Sequence, residues 1–184
     1  AQEMLRALAK INKDFSNWKY VMKVWDSFSA DDYGKEERAL IDELGMDEKV
    51  TTLVGKFSPE FISILLNACD IYAAPSRIEG FGMIQLEAQA CGKPVISINA
   101  GGPKDTIVHD KTGFLVVVAH EVKLEKEWVY TWMGFETQHQ VEFEIPKTFA
   151  YRADIDQLVR HTIDLLRNDE LREKMGKAAA DHAL

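Results

Sequence analysis

Short runs of apolar, mostly β-branched residues alternate along the chain with segments of helical periodicity. The runs are short enough to be strands, and their lack of polar alternation is typical of parallel strands that are buried on both faces. An alternation of strands and helices, joined by right-handed crossovers, predicts an α/β fold: an open parallel sheet with helices on both faces. The predicted strands are Tyr20–Trp25, Val50–Val54, Ile71–Ala74, Val95–Ile98 and Phe114–Val118.

Helix start and stop signals predict helices between these strands. Residues 1–13 carry apolar side chains at helical spacing, Gly45 closes a helical segment at Lys35–Leu44, and Ser58 followed by Pro59 opens another helix. Further helices are predicted at Gly82–Cys91, Lys104–Val108 and Asp154–Arg167. Because ligands of such folds bind at the carboxyl ends of the strands, site residues are expected in the turns that follow strands.

The composition limits the kinds of binding partner that are expected for this chain. The chain has 184 residues, the size of one α/β domain, and a formal net charge of -8, which disfavours nucleic acid and anionic membranes as partners. No stretch has the length of a membrane span and no signal peptide is visible, so a cytoplasmic location is expected. Two isolated cysteines and five scattered histidines predict neither a disulfide framework nor a metal site.

Two carboxylates flank a glycine-containing turn in the stretch EGFGMIQLE, residues 79–87. The turn leads from a predicted strand into the helix that begins near Gly82. The start of a helix carries unpaired amides and partial positive charge, which suit phosphate oxygens. Glu79 and Glu87, on either side, could accept hydrogen bonds from sugar hydroxyls. Taken alone, the stretch is better explained by two solvated acids beside an ordinary turn, because glycine-rich turns are common.

With its neighbouring motifs, the sequence resembles the C-terminal, nucleotide-sugar-binding half of the family-4 (group 1) glycosyltransferases, which have the GT-B fold. The strongest resemblance is the series Pro75-Ser76, Glu79 and Glu87 in E-x7-E spacing, and GKPV at residues 92–95. It extends to VTTLVG at residues 50–55, GGPKDT at 101–106 and KTGFLV at 111–116.

The resemblance implies a retaining hexosyltransferase that moves a sugar from a nucleotide-diphosphate sugar to a carbohydrate or other hydroxyl acceptor, without a metal or other cofactor. It makes Glu79 the catalytic residue, in contact with the donor sugar, and assigns the ribose hydroxyls to Glu87. The remaining donor contacts that it implies are the backbone groups of Gly80, Phe81, Gly82 and Met83.

Two more turns are implied as parts of the donor site. Gly55 and Lys56, after the second predicted strand, would flank the nucleotide base. Gly101 and Gly102, after the fourth, would lie near the sugar. Each pair is also compatible with an ordinary strand-to-loop turn.

The sequence departs from the family pattern in what it lacks. The family has an arginine and a lysine in a loop after the first strand of this half, and both that strand and that loop should precede the helix at residues 1–13. Neither they nor the acceptor-binding half is present. We therefore interpret residues 1–184 as a single Rossmann-like donor-binding domain excised from a larger enzyme, inactive alone, whose partner is its own N-terminal acceptor-binding domain.

A second departure is an insertion at residues 119–153, between the last predicted strand and the helix at Asp154–Arg167. Near-alternation in EWVYTW and QVEFEI predicts two strands of a β-hairpin joined through Met133–His139. The aromatic side chains either form a small core of the insertion itself or stack on sugars and partners. They are Trp128, Tyr130, Trp132, Phe135, Phe143, Phe149 and Tyr151.

Two other functions remain compatible with the sequence. One is a GT-B epimerase or phosphorylase, which would share the architecture but not the chemistry. The other is a catalytically silent nucleotide-sugar-binding or scaffolding module, which the absence of the basic pair favours. A product assay separates the first from a transferase, and the sequence that precedes residue 1 in the gene bears on the second.

Overall fold

A computed structural model describes residues 2–24, 30–134 and 136–183. The strands are β1 (Tyr20–Val24), β2 (Val50–Val54), β3 (Tyr72–Ala73), β4 (Val95–Ile98), β5 (Gly113–Val116), β6 (Val118–Val129) and β7 (His139–Ala153). The helices are α1 (Gln2–Ile11), α2 (Ala30–Glu43), α3 (Pro59–Ala68), α4 (Met83–Ala90), α5 (Pro103–Thr106), α6 (Ile155–Arg167) and α7 (Asp169–Ala183). Every predicted strand and helix is confirmed, α7 is additional, and Trp25 lies outside the described residues.

The parallel strands form two groups. β1 pairs with β2 in one sheet, and β3, β4 and β5 follow one another in a second. Between the groups, the Tyr20 hydroxyl donates a hydrogen bond to the Ala73 carbonyl oxygen at 3.3 Å. The predicted parallel α/β architecture is therefore confirmed, with its sheet divided between β1 and β3.

Helices cover both faces of β4, whose four residues are all buried. Ile96 and Ile98 belong to the main apolar core, which includes the buried stripe of α1 and the inner residues of α6. Val95 points the other way, into a smaller cluster that contains Leu66 of α3 and Ala88 of α4. This alternation explains why the strand reads as a continuous apolar run. No described helix is both long and apolar enough to cross a bilayer.

The insertion forms the predicted β-hairpin, with strands longer than the sequence indicated. β6 and β7 pair antiparallel with three register irregularities, and a short 3-10 helix at Thr131–Met133 lies near the tip. Of the two alternatives for its aromatic residues, a small core of the insertion itself is wrong for the largest side chains. Trp128 is 47% exposed, Trp132 79% and Phe149 49%. A two-stranded ribbon has no second layer to cover them. Phe135 lies outside the described residues.

Candidate functional site

The turn between β3 and α4 holds the Glu79 carboxylate at the start of the helix. Gly82 is the N-cap residue, with a left-handed φ of 85°. Its N–H donates to Glu79 Oε1 at 3.0 Å. A side chain at Gly82 would be strained by this φ, and its Cβ would come 2.6 Å from Gln85 Oε1. The glycine therefore allows the Glu79 carboxylate to bind the amide of the N-cap residue, directly before α4.

A second glycine loop packs directly on this turn. The Gly102 N–H donates to the Glu79 carbonyl oxygen at 3.4 Å. A Cβ at Gly102 would lie closer than 3.0 Å to backbone atoms of Gly80 and Phe81, and one at Gly101 would collide with the Glu79 carbonyl oxygen. The structure thus brings together two of the segments that the sequence indicated, backbone against backbone, at the carboxyl ends of β3 and β4.

Buried polar side chains form hydrogen bonds beneath the Glu79 turn and the Gly101–Gly102 loop, on the side of the core. The Gln85 amide donates to Ser97 Oγ at 3.0 Å, and the Gln89 amide donates to the Thr106 carbonyl oxygen at 2.9 Å. Thr106 Oγ1 in turn donates to the Gly102 carbonyl oxygen at 3.3 Å. Sequence reasoning missed these residues. The available signal was a pair of glutamines at i and i+4 on one face of a helix, where apolar side chains are the rule.

The other glutamate lies further along α4. Glu87 is exposed, and the predicted contact residues Phe81 and Met83 are 56% and 65% exposed. Burial raises the pKa of the Tyr72 phenol, and the neighbouring Tyr20, Glu79 and Glu87 raise it further. Both glutamates therefore act on the same tyrosine, which sequence reasoning treated only as part of a strand.

Gly55 and Lys56 lie in the turn that follows β2, at the end of the other sheet. Gly55 follows β2 with a φ of 128°, and its N–H donates to the Val24 carbonyl oxygen at 3.0 Å. Lys56 is exposed. Within the described part of the chain, no hydrogen bond joins this turn to the Glu79 turn, and no three His, Cys, Asp or Glu side chains are grouped as metal ligands.

Together, the parallel strands and helices define a Rossmann-like domain, in which two glycine loops meet at the carboxyl ends of β3 and β4. The family model of glycosyl transferases group 1 matches residues 1–127. The chain belongs to this family.

Curated relatives agree with this assignment. A D-inositol 3-phosphate glycosyltransferase of Mycolicibacterium gilvum is 35% identical over 147 residues, which are 78% of this chain and 29% of that protein. The enzyme of the same name from Pseudarthrobacter chlorophenolicus is 42% identical over 79 residues, 43% of this chain and 19% of its own length. The chain thus spans less than a third of these relatives.

Solved structures show the same fold at lower identity. The C-terminal domain of a group 1 family glycosyl transferase (LpcC) from Francisella tularensis superposes with a TM-score of 0.70 at 23% identity, covering 98% of this chain and 75% of that one. HepE of Anabaena, solved in complex with UDP, gives a TM-score of 0.72 at 22% identity, over 100% of this chain and 40% of that one. The fold is that of a GT-B C-terminal domain.

Proposed function

We propose that this chain is the donor-binding half of a retaining glycosyltransferase that moves a sugar from a nucleotide-diphosphate sugar to a hydroxyl acceptor. The observation that carries the proposal is the contact between the two glycine loops, with Glu79 held at the start of α4 and Glu87 further along the same helix. The complexes of HepE with UDP and with UDP-glucose support a nucleotide sugar as the ligand.

In this proposal the diphosphate binds at the start of α4. The amides of Met83 and Ile84 have no acceptor within the helix, whereas the Gln85 amide already donates to the Gly82 carbonyl oxygen at 3.0 Å. Gly80, in the preceding turn, is exposed. The Gly82 amide is now occupied by Glu79 Oε1. A phosphate oxygen that takes this amide would displace the Glu79 carboxylate, which would then be available to the hydroxyls of the donor sugar.

The remaining roles follow the resemblance. Glu87 would accept hydrogen bonds from the ribose hydroxyls, Gly101 and Gly102 would lie beside the sugar, and the turn at Gly55–Lys56 would flank the base. The helix N-terminus and fixed amides would stabilise the leaving diphosphate electrostatically, so the reaction as proposed needs no metal.

The rest of the enzyme would come from a longer polypeptide. Because the chain spans 19% to 29% of the relatives above, the proposal assigns the basic loop and the acceptor-binding domain to sequence outside it. The separation between β1 and β3, which the Tyr20 side chain bridges, is the place where one further parallel strand would fit.

Titration of the 184-residue chain with uridine, guanosine and adenosine diphosphates, by calorimetry or ligand-observed NMR, tests donor binding. We expect one nucleotide to bind, and Glu87→Ala to weaken it about 10-fold, since a hydrogen bond to a charged group is lost. Binding by none of the three, or binding that does not depend on Glu87, would contradict the proposal and favour a scaffolding module.

A further inference from the structure

A buried carboxylate joins three parts of the chain beside the candidate site. The Glu3 side chain, in the first turn of α1, is 8% exposed. Its Oε1 accepts hydrogen bonds from Arg77 at 3.2 Å and from Arg152 at 2.7 Å. Arg77 also donates to Gln2 Oε1 at 2.8 Å. α1, the turn after β3 and the end of β7 therefore meet in one ionic cluster, here called the Glu3 cluster (Glu3, Arg77 and Arg152).

A backbone contact strengthens the link between the hairpin and the turn. The Tyr151 N–H, next to Arg152 in β7, donates to the Arg77 carbonyl oxygen at 2.9 Å. Arg77 is two residues before Glu79, whose own carbonyl accepts from Gly102. The turn that carries Glu79 is therefore held by the base of the hairpin on one side and by the second glycine loop on the other.

Stability alone does not explain the Glu3 cluster. Glu3 Oε2 and Arg77 Nε are buried without a hydrogen-bond partner among the described residues. Replacing buried ion pairs by well-packed apolar side chains is often neutral or stabilising, whereas ion pairs fix one geometry by charge and direction. An arrangement with two unsatisfied atoms is therefore better explained by the position that it imposes on the Arg77 backbone.

We propose that Arg77 and Arg152 are positioning residues of the donor site: with Glu3 they fix the turn from Pro75 to Gly82 so that the Glu79 carboxylate meets the start of α4. The base of the inserted hairpin, rather than its tip, serves the site in this way. The donor role of the turn rests on the function proposed above, but the positioning is measurable without any ligand.

Amide hydrogen exchange by NMR tests the proposal directly. Arg152→Gln removes one charge from the Glu3 cluster, and we expect exchange at Gly82 to accelerate about 10-fold relative to the core amides of Ile96 and Val116, through local opening of the turn. A purely structural role would accelerate the core amides together with Gly82.

Arg172→Gln is the matched control. Arg172 also pairs with a carboxylate, Asp169 at 2.9 Å, and donates to the Leu165 carbonyl oxygen at 2.8 Å. It belongs to α7, and these side-chain bonds involve neither of the two glycine loops. We expect no selective change at Gly82 in this variant. Equal acceleration at Gly82 in both variants, or none in Arg152→Gln, would overturn the proposal.

A shortened hairpin distinguishes the role of its base from that of its tip. Replacing residues 124–147 by Asn-Gly keeps Tyr151 and Arg152, so exchange at Gly82 should match the unchanged chain; acceleration equal to that of Arg152→Gln would contradict a role for the base alone. If Arg152→Gln does not fold, Arg152→Lys replaces it: a smaller, selective acceleration at Gly82 supports the proposal, and none overturns it. If the exchange results support the positioning role but the chain binds no nucleotide, the proposed function is wrong and the positioning proposal still holds.

Discussion

At the scale of single residues, the contact between the two glycine loops limits side-chain size at one position and not at another. A Cβ at Gly102 would overlap backbone atoms of Gly80 and Phe81, whereas a Cβ at Gly80 would have no neighbour within 4 Å. We expect Gly102→Ala to lower the free energy of unfolding by about 1–3 kcal/mol, because the loops must separate. Gly80→Ala should change it by less than about 0.5 kcal/mol. Urea unfolding followed by circular dichroism measures both, and equal midpoints for the two variants would refute the contact.

In the longer glycosyltransferase proposed above, substitutions of the two glutamates should have different kinetic effects. Glu79 is assigned to the reacting sugar, so Glu79→Gln should lower kcat by about 100-fold with little effect on donor affinity. Glu87 is assigned to the ribose, so Glu87→Ala should mainly raise the KM for the donor, by about 10-fold. Steady-state kinetics at varied donor concentration separates the two. Small and equal effects of the two substitutions on kcat and on the KM would contradict both assignments.

Only part of the residue-level picture could be read from the sequence. The glutamate pair and both glycine loops form recognisable motifs. Gln85 and Gln89 give only a weak signal, their i and i+4 spacing, because the sequence does not show that the helix face they share is buried. Glu3 is similar: it lies beside the apolar stripe of an amphipathic helix, and its two arginine partners are 74 and 149 residues away in the sequence.

At the scale of elements, the hairpin should be separable from the parallel core. Among the side chains of residues 120–150 that the structure describes, Val129 and Ala150 are the only buried apolar ones. Val118, Tyr151 and Ala153, which contact the core, lie outside that range. Replacing residues 120–150 by a short Gly-rich bridge should leave cooperative thermal unfolding, with Tm lowered by only a few degrees. A broad, non-cooperative transition would show that the hairpin is part of the core.

His161 in α6 should make the free energy of unfolding depend on pH. Burial lowers the pKa of His161 in α6, the neighbouring His109 lowers it further, and its ring stacks on Phe114 at 4.2 Å. Below the unfolded-state pKa of about 6.5, the unfolded chain binds the proton first, so the free energy of unfolding falls as the pH falls through this window. Urea unfolding at about pH 7.5 and pH 5.5 should show a smaller pH effect in His161→Gln. The same change at the exposed His120 is the control, and equal effects of the two variants would count against His161.

Element bounds were readable where the pattern is strong and local. The strand at Val95–Ile98 was predicted to the residue, because four buried positions flanked by Pro94 and Asn99 leave little choice. The hairpin strands are longer than the alternating segments that revealed them, since antiparallel pairing continues through polar residues that carry no pattern. The division of the sheet between β1 and β3 depends on contacts between distant strands, which periodicity does not encode.

At the scale of the whole molecule, the candidate site is open on the side that faces away from the core. Phe81, Met83 and Ile78 around the Glu79 turn are each more than half exposed. An opposing domain or a bound donor would cover such apolar side chains. The chain also spans only 29% of its Mycolicibacterium gilvum relative. Binding of the donor and transfer of the sugar should therefore be separable properties.

We expect the 184-residue chain alone to bind a nucleoside diphosphate or its sugar weakly and to transfer nothing. The start of α4, the glycine loops and Glu87 remain in the chain, so part of the affinity should persist. Water exclusion, the basic loop and positioning of the acceptor are assigned to other sequence, and positioning alone can supply roughly 7–11 kcal/mol of a barrier. Incubation with nucleotide sugars and candidate acceptors, followed by mass spectrometry, should therefore detect no glycosylated product. Measurable transfer by this chain would mean that residues 1–184 contain every group that transfer needs, including those that position the acceptor, and that the proposed division of roles between two domains is wrong.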